Sequence, residues 1–117
     1  MQKDEKPEAW REAMDLAAEI YKRIASFPTV EIEGLAAQIR QAAIQLPTNI
    51  ALAAESSYTS EVMLYLSIAR NNARELDTLL IIARDLGHLE EAECSTMRDK
   101  VEQIRNLVVD HFKLSDN

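Results

Sequence analysis

The stretch IRQAAIQLPTNIALAAE (residues 39–55) reads as a helix, although Pro47 stands near its middle. A proline inside a helix removes one backbone hydrogen bond and collides with the preceding turn, at about 3 kcal/mol. Apolar residues nevertheless keep spacings of three and four through Pro47, and these are Leu35, Ile39, Ala43, Leu46, Ile50 and Ala53. We therefore predict one helix over residues 31–55, kinked at Pro47. Water or the Thr48 side chain is expected to satisfy the Ala43 carbonyl, which loses its partner.

The rest of the chain predicts three more amphipathic helices, over residues 7–26, 59–86 and 90–114, because apolar side chains recur there at helical spacing. Gly87 is expected to end the third helix in a left-handed conformation. Four long helices with short connections predict an all-α, antiparallel up-down four-helix bundle that forms one domain over residues 1–117. The first apolar stripe comprises Trp10, Ala13, Met14, Ala17, Ile20, Ile24 and Phe27.

Composition and charge limit the class of protein. A chain of 117 residues, 47% apolar, is long enough for one core without metal or disulfides. The net charge of −7 argues against a sequence-independent nucleic-acid binder, which needs a basic face. The single cysteine indicates a reducing compartment, and we expect a cytoplasmic protein. The charged N-terminal stretch MQKDEKPEAWREAM does not resemble a signal peptide, and no apolar run is long enough to span a membrane.

Residues that carry out chemistry are few. His88 follows a helix-ending glycine and His111 lies near a helix end, so both are expected at the surface. Asp85 and His88 do not form the Glu-x-x-His pair of di-iron bundles. Cys94 lies among three glutamates, whose charges would raise the pKa of its thiol and make it a poor nucleophile. We predict no catalytic residue, no metal and no cofactor.

Arg70 and Arg74 lie one turn apart on one face of the third helix, where they could hold an anion. The alternative is that they pair with Glu75, with Asp77 or with a neighbouring helix.

The second helix is apolar over more of its surface than the core of one bundle would bury. Thirteen of the 21 residues from 34 to 54 are apolar and the only charge is Arg40. A helix that is apolar almost all round is buried on more than one side, and residues 79–83 (LLIIA) are similarly apolar. We predict an oligomer face on the second helix, formed by Ala36, Ala37, Ile44, Ala51 and Leu52. The alternative is that this helix is simply central.

Polar residues also interrupt these apolar segments. Antiparallel neighbours could bring Arg40 and Glu75 together as a partly buried pair, with Asn49 and Asn72 nearby. We predict a polar network of Arg40, Asn49, Asn72 and Glu75 that fixes helix register rather than adding stability.

The chain resembles the bacterial four-helix-bundle proteins encoded by intervening sequences within 23S ribosomal RNA genes, a family often labelled ribosomal. The fairly specific element is Gln-Ile-Arg at 38–40 followed by Pro-x-Asn-Ile-Ala at 47–51. The wider likeness is carried by Trp10, SFP at 26–28, GLAAQIRQAAIQLPTNIA at 34–51 and YLSIARNNARELDTLLIIARDLGHL at 65–89.

The resemblance implies a four-helix bundle that assembles into a homopentamer, with proline as part of the family element. The accessory variability protein of diversity-generating retroelements is similar, and it partners a reverse transcriptase and nucleic acid. That protein is basic, whereas this chain is acidic. The chain also has Leu52-Ala53 where the family usually has Glu-Gly, and Asn71-Asn72 where it usually has Gly-Ser.

Two functions follow as expectations. The first is a non-enzymatic, homopentameric scaffold or adaptor whose partner is chiefly itself. The second is a nucleic-acid or ribonucleoprotein accessory factor, which would have to gather Arg70, Arg74, Arg84, Arg98 and Arg105 into one patch. An enzyme is a third alternative, and a ligand pocket joining Arg40, Asn49 and Glu75 would favour it.

Overall fold

The computed structural model describes residues 6–114, within which it holds four α-helices, one short 3₁₀ helix and no β-strand. The ends at residues 1–5 and 115–117 lie outside the described residues. They include both ends of the predicted domain and the start of MQKDEKPEAWREAM, the stretch that does not resemble a signal peptide. The elements are α1 (Glu8–Ile24), the 3₁₀ helix (Thr29–Glu31), α2 (Leu35–Glu55), α3 (Thr59–Asp85) and α4 (Glu91–Phe112).

The helices pack in chain order around one core. α2 contacts α1 and α3, and α4 contacts α1 and α3, in a body 43 Å long and 24 by 23 Å across. This arrangement confirms the predicted all-α four-helix bundle. In the part of the chain described, none of the helices is both long and apolar enough to cross a membrane.

α1 buries one stripe that differs slightly from the predicted one. Ala13, Leu16 and Ile20 are almost completely buried, whereas the side chain of Met14 is 45% exposed. The buried stripe of α1 therefore includes Leu16, which the sequence pattern did not predict, and leaves out Met14, which it did. The helix ends at Ile24, before Pro28, because the residue that precedes a proline avoids helical angles.

α2 begins at Leu35, four residues later than predicted, because the chain first forms the 3₁₀ helix and turns at Gly34. It then runs unbroken through Pro47. The Thr48 hydroxyl donates to the Ile44 carbonyl at 2.8 Å and not to the Ala43 carbonyl, so Thr48 was the wrong partner, and water stays the predicted one. Such side-chain bonds to the preceding turn often accompany helix bending. The kink at Pro47 stays a prediction.

The end of α3 carries the predicted stop signal, and α4 begins with a capping box. Gly87 has a φ of 81°, which confirms its left-handed conformation. The amides of Gly87 and His88 donate to the carbonyls of Arg84 and Ala83, both at 2.9 Å, which completes a Schellman motif. At the start of α4, a carboxylate oxygen of Glu93 accepts a bond from the Glu90 amide at 3.0 Å.

The core is a single apolar cluster to which all four α-helices contribute. Its largest fully buried side chains are Leu16, Ile20, Ile39, Ile50, Leu76, Leu80, Ile104 and Cys94. Burial of each leucine or isoleucine contributes about 1.5–3 kcal/mol, so this cluster drives the fold.

Candidate functional site

Arg40 does not form the predicted pair with Glu75. Its Nη2 donates to the backbone carbonyl of Ile32 at 2.9 Å, so Arg40 holds the loop between α1 and α2. Glu75 is exposed, and among residues 6–114 no basic group lies within ion-pair distance of it. Arg40 and Glu75 therefore do not join Asn49 and Asn72 in one network.

Asn49 and Asn72 do meet in the interior, between α2 and α3. Asn49 is 8% and Asn72 is 6% exposed, and Nδ2 of Asn49 donates to Oδ1 of Asn72 at 3.1 Å. The same nitrogen donates to the Gln45 carbonyl at 2.9 Å, and Nδ2 of Asn72 donates to Oε1 of Gln45 at 3.1 Å. The two buried asparagine amides thus bond to each other and to the half-buried Gln45.

The orientation of the Asn72 amide follows from its neighbours. If the oxygen and nitrogen of the Asn72 amide exchanged places, the nitrogen would lie 3.1 Å from the Ile68 carbonyl oxygen. It would also lie 3.1 Å from the Asn49 nitrogen. Two donors would then oppose each other. The orientation described above pairs a donor with an acceptor at the contacts with the Asn49 and Gln45 side chains, and it leaves Oδ1 of Asn72 3.1 Å from the Ile68 carbonyl oxygen.

The predicted oligomer face of α2 is partly exposed. Ile44 is 46% and Leu52 is 39% exposed, and Ala37 and Ala51 are half-buried. Ala36 is 2% exposed and lies in the core of its own chain, so it cannot belong to an oligomer face. Pro47 is also buried.

Two residues of α1 extend this face, although the sequence interpretation missed them. Met14 is 45% and Tyr21 is 44% exposed, and they lie seven residues apart, in line on the helix. Glu19 and Arg23, on the opposite flank of α1, bind Lys100 and Glu93 of α4. Since one flank faces α4, the flank of Met14 and Tyr21 faces α2.

The matching flank of α2 follows from the same geometry. Asn49 marks the flank that faces α3, so Ile44 lies toward α1. Ala37, Ile44 and Ala51 are spaced by seven residues, as are the two α1 residues. We call this set the α1/α2 apolar surface, and it comprises Met14, Tyr21, Ala37, Ile44 and Ala51. Its seven-residue spacing is typical of a helix-packing seam and could have been noticed in the sequence.

A groove runs along the opposite seam of the bundle, between α3 and α4. Arg70 and Arg74 of α3 and Arg98 and Arg105 of α4 line it. Four of the five arginines that the sequence proposed for one patch therefore share this α3/α4 groove. The fifth, Arg84, binds its neighbour Asp85 at 3.1 Å.

Acidic residues share the polar end of the groove. Asp77, Asp99 and Glu102 line it together with the arginines. Arg98 binds Asp77 at 2.8 Å and Arg105 binds Glu102 at 3.3 Å. Within the described part of the chain, Arg70 and Arg74 have no carboxylate within 4 Å. Their pairing with Glu75 or Asp77, the predicted alternative, is therefore absent from this part of the chain, and binding of an anion by these two arginines stays a prediction.

The opposite end of the groove is apolar. Side chains from α3 and α4 form its walls, and Leu46 of α2 lies among its lining residues. Arg70 and Arg105 stand beside this apolar section. The apolar lining residues of this section are Leu46, Leu66, Ala69, Ala73, Ile104, Val108, Val109 and Leu114.

Cys94 is a buried thiol that donates to the Leu80 carbonyl at 3.4 Å. Burial raises the pKa of the Cys94 thiol, and it outweighs the charges of Arg84 and Arg98, which act to lower that pKa. The high pKa fits the expectation of a poor nucleophile, although burial rather than the nearby glutamates is the main cause. Within residues 6–114, no group of three or more histidine, cysteine and acidic residues is placed to hold a metal ion.

An ionic cluster joins the two connections at one end of the bundle. Arg23 binds both carboxylate oxygens of Glu93 and also donates to the His88 carbonyl at 3.2 Å. Together with the Glu90 amide, Arg23 lowers the pKa of the Glu93 carboxyl to about 2. Nε2 of His88 lies 2.9 Å from the carboxylate of Glu31. These contacts fix the loop before α2 against the start of α4.

Comparison with known proteins agrees with this architecture. The sequence model of the family described as 23S rRNA-intervening sequence protein matches residues 5–110. A crystal structure from Bacteroides thetaiotaomicron VPI-5482, of a protein with unknown function from the S23 ribosomal protein family, is similar with a TM-score of 0.78. It shares 17% identity over 90% of this chain and 98% of its own. The comparison with curated proteins found no match.

Proposed function

Because the chain belongs to the 23S rRNA-intervening sequence protein family, we propose that it is a non-enzymatic protein that assembles with copies of itself, as a homopentameric scaffold or adaptor. The observation that carries this proposal is the α1/α2 apolar surface. Met14 and Tyr21 lie in line on α1, and Ile44 lies on the neighbouring helix α2. Each of the three is more than two-fifths exposed. An exposed apolar surface of this kind is typical of a protein interface. The buried free thiol of Cys94 suits the reducing cytoplasm.

The proposal is tested by absolute mass from light scattering on a sizing column, at low and moderate salt. We expect the mass of five 13.2-kDa chains and an absorbance ratio free of nucleic acid. The Ile44→Lys variant should lower that mass, because a charge would be buried in the interface. Met63→Lys, at a position on α3 that is 50% exposed, serves as the control. A wild-type monomer would refute the proposal.

A second candidate function is a nucleic-acid accessory factor, and the α3/α4 groove favours it. Four arginines line that groove, and Arg70 and Arg74 are both exposed. The three acidic residues of the polar end weaken its attraction for phosphates. The scaffold therefore remains the leading proposal.

The second candidate is tested by retention of single-stranded RNA at increasing salt. Arg70→Glu with Arg74→Glu should abolish retention, and the salt dependence should be steep if phosphates are bound. Arg84→Glu, which removes an arginine bound to its neighbour Asp85, should retain RNA as the wild type does. An absence of retention at the lowest salt would count against this function.

A further inference from the structure

The loop between α1 and α2 presents two apolar side chains to water. Val30 is 84% exposed, more than the other large apolar residues of the described chain, and Ile32 is 52% exposed. Both flank Glu31, and the exposed Glu33 follows. The segment TVEIE at 29–33 is therefore apolar and acidic, and it lies at the tip of the hairpin that carries the α1/α2 apolar surface.

This loop is held in place rather than left free. The amides of Glu31 and Ile32 donate to the carbonyls of Pro28 and Thr29 in the 3₁₀ turn. Arg40 holds the Ile32 carbonyl at 2.9 Å, and His88 holds the Glu31 carboxylate at 2.9 Å. The two apolar side chains are thus preorganised to contact a partner, which lowers the entropy lost on binding.

The apolar end of the α3/α4 groove is complementary to this loop in both polarity and charge. Val108 and Val109 belong to its apolar lining, and Arg70 and Arg105 stand beside them. Because Glu31 is bound to His88 and Arg105 to Glu102, the charge match is between the exposed Glu33 and Arg70, while Val30 and Ile32 meet the apolar lining. The loop lies at one end of the bundle and this section of groove near the other, where α4 ends.

We propose that the loop at residues 29–33 of one copy docks into the apolar end of the α3/α4 groove of the next copy. This inference rests on the self-assembly of the proposed function and names a pair of surfaces for it. In a ring of five, each contact joins two different patches, one from each of the two neighbouring copies. A ring therefore requires two patches that fit each other. The loop supplies one patch and the groove supplies the other.

The test uses two full-length variants. The loop variant carries Val30→Asp and Ile32→Asp, and the groove variant carries Arg70→Glu and Val109→Asp. Each alone should be a monomer by light scattering with a melting temperature near that of the wild type. An equal mixture should show the mass of two chains, because one intact loop and one intact groove remain in it. Tyr58→Asp, at a position 68% exposed in the connection between α2 and α3, should keep the wild-type mass.

The outcomes separate this inference from the proposed function. If the loop variant keeps the wild-type mass while Ile44→Lys loses it, self-assembly stands and the loop contact is refuted. A mixture that stays monomeric also refutes it. If the wild type itself is a monomer, both proposals fail. Should the groove variant melt early, Arg70→Glu alone, at an exposed position, replaces it in the mixture.

Discussion

Asn49 of α2 donates from Nδ2 to Oδ1 of Asn72 of α3 across 3.1 Å, in an interior that is otherwise apolar. The bond forms only when the two helices hold one longitudinal position relative to each other. Displacement by one turn would leave the Asn72 amide buried without its partners, and Asn49 would keep only its bond to the Gln45 carbonyl of its own helix, which is costly. We infer that the pair selects the register of α2 against α3, while the apolar stripes supply most of the stability.

Replacing Asn72 with alanine should lower the free energy of unfolding by about 1–3 kcal/mol, because the polar atoms of Asn49 and Gln45 lose a buried partner. Urea unfolding measures the change. The control is Asn71→Ala, at the exposed neighbouring position, which should change stability by no more than about 0.5 kcal/mol. Equal losses in the two variants would contradict the role of the amide pair.

Pro47→Ala should make α2 intrinsically more helical, because alanine restores the amide that can donate to the Ala43 carbonyl. We expect the assembly to weaken nevertheless, since a straighter α2 would present its outer face differently to another copy. Circular dichroism measures the helix content and light scattering measures the assembly. An oligomer mass identical to that of the wild type would contradict a role for the proline in assembly.

The pair of Arg23 and Glu93 predicts a dependence of stability on pH. Arg23 and the Glu90 amide lower the pKa of Glu93 to about 2 in the folded protein, against about 4.3 in an unfolded chain. A lowered folded pKa means that the stabilisation is complete above the unfolded value and is lost as the pH falls toward about 2. Glu93→Gln should therefore be less stable than wild type at neutral pH, and the difference should shrink on acidification.

The measurement is thermal unfolding across that pH range. Glu91→Gln, in the same first turn of α4 but exposed, is the matched control and should follow the wild-type curve. If Glu93→Gln differs from wild type by the same amount at neutral and acidic pH, the carboxylate of Glu93 is not the group responsible.

Arg40→Met should loosen the loop before α2, because the Ile32 carbonyl loses its bond to the guanidinium. We expect faster amide hydrogen exchange at Ile32 and Glu33, with a loss of global stability no greater than about 1.5 kcal/mol. Arg11→Met removes a comparable side-chain bond, to the Lys6 carbonyl at 2.9 Å, and should leave exchange in the loop unchanged. Unaltered exchange at Ile32 would show that Arg40 does not hold the loop.

Much of the fold could be predicted because helix formation depends on local spacing. The apolar stripes and the left-handed Gly87 predicted the helices and their ends to within a few residues. The start of α2 differed, because the sequence TVEIEG has helical spacing but forms a 3₁₀ turn that Arg40 and His88 hold from outside it. Residues outside the segment therefore contact it in its 3₁₀ conformation, and its local spacing does not include them.

The candidate surfaces were predicted less completely. The outer face of α2 was visible in its composition, but Ala36 turned out to be buried and Met14 to be exposed. Each of these positions lies at the edge of a stripe, where a small rotation of the helix decides between core and surface. Spacing alone does not fix that rotation, since it depends on how the neighbouring helices pack.

The sequence by itself determined four amphipathic helices and their order in a bundle, because these depend on composition and spacing along the chain. Its motifs, such as Pro-x-Asn-Ile-Ala at 47–51, carried the resemblance to the family. The tertiary structure alone decided that Asn49 meets Asn72 and that Arg40 holds Ile32 rather than pairing with Glu75. It also decided that four of the five arginines of α3 and α4 share one groove. Each of these contacts depends on the rotation and register of one helix against another. Many pairs of side chains packed at once set that geometry.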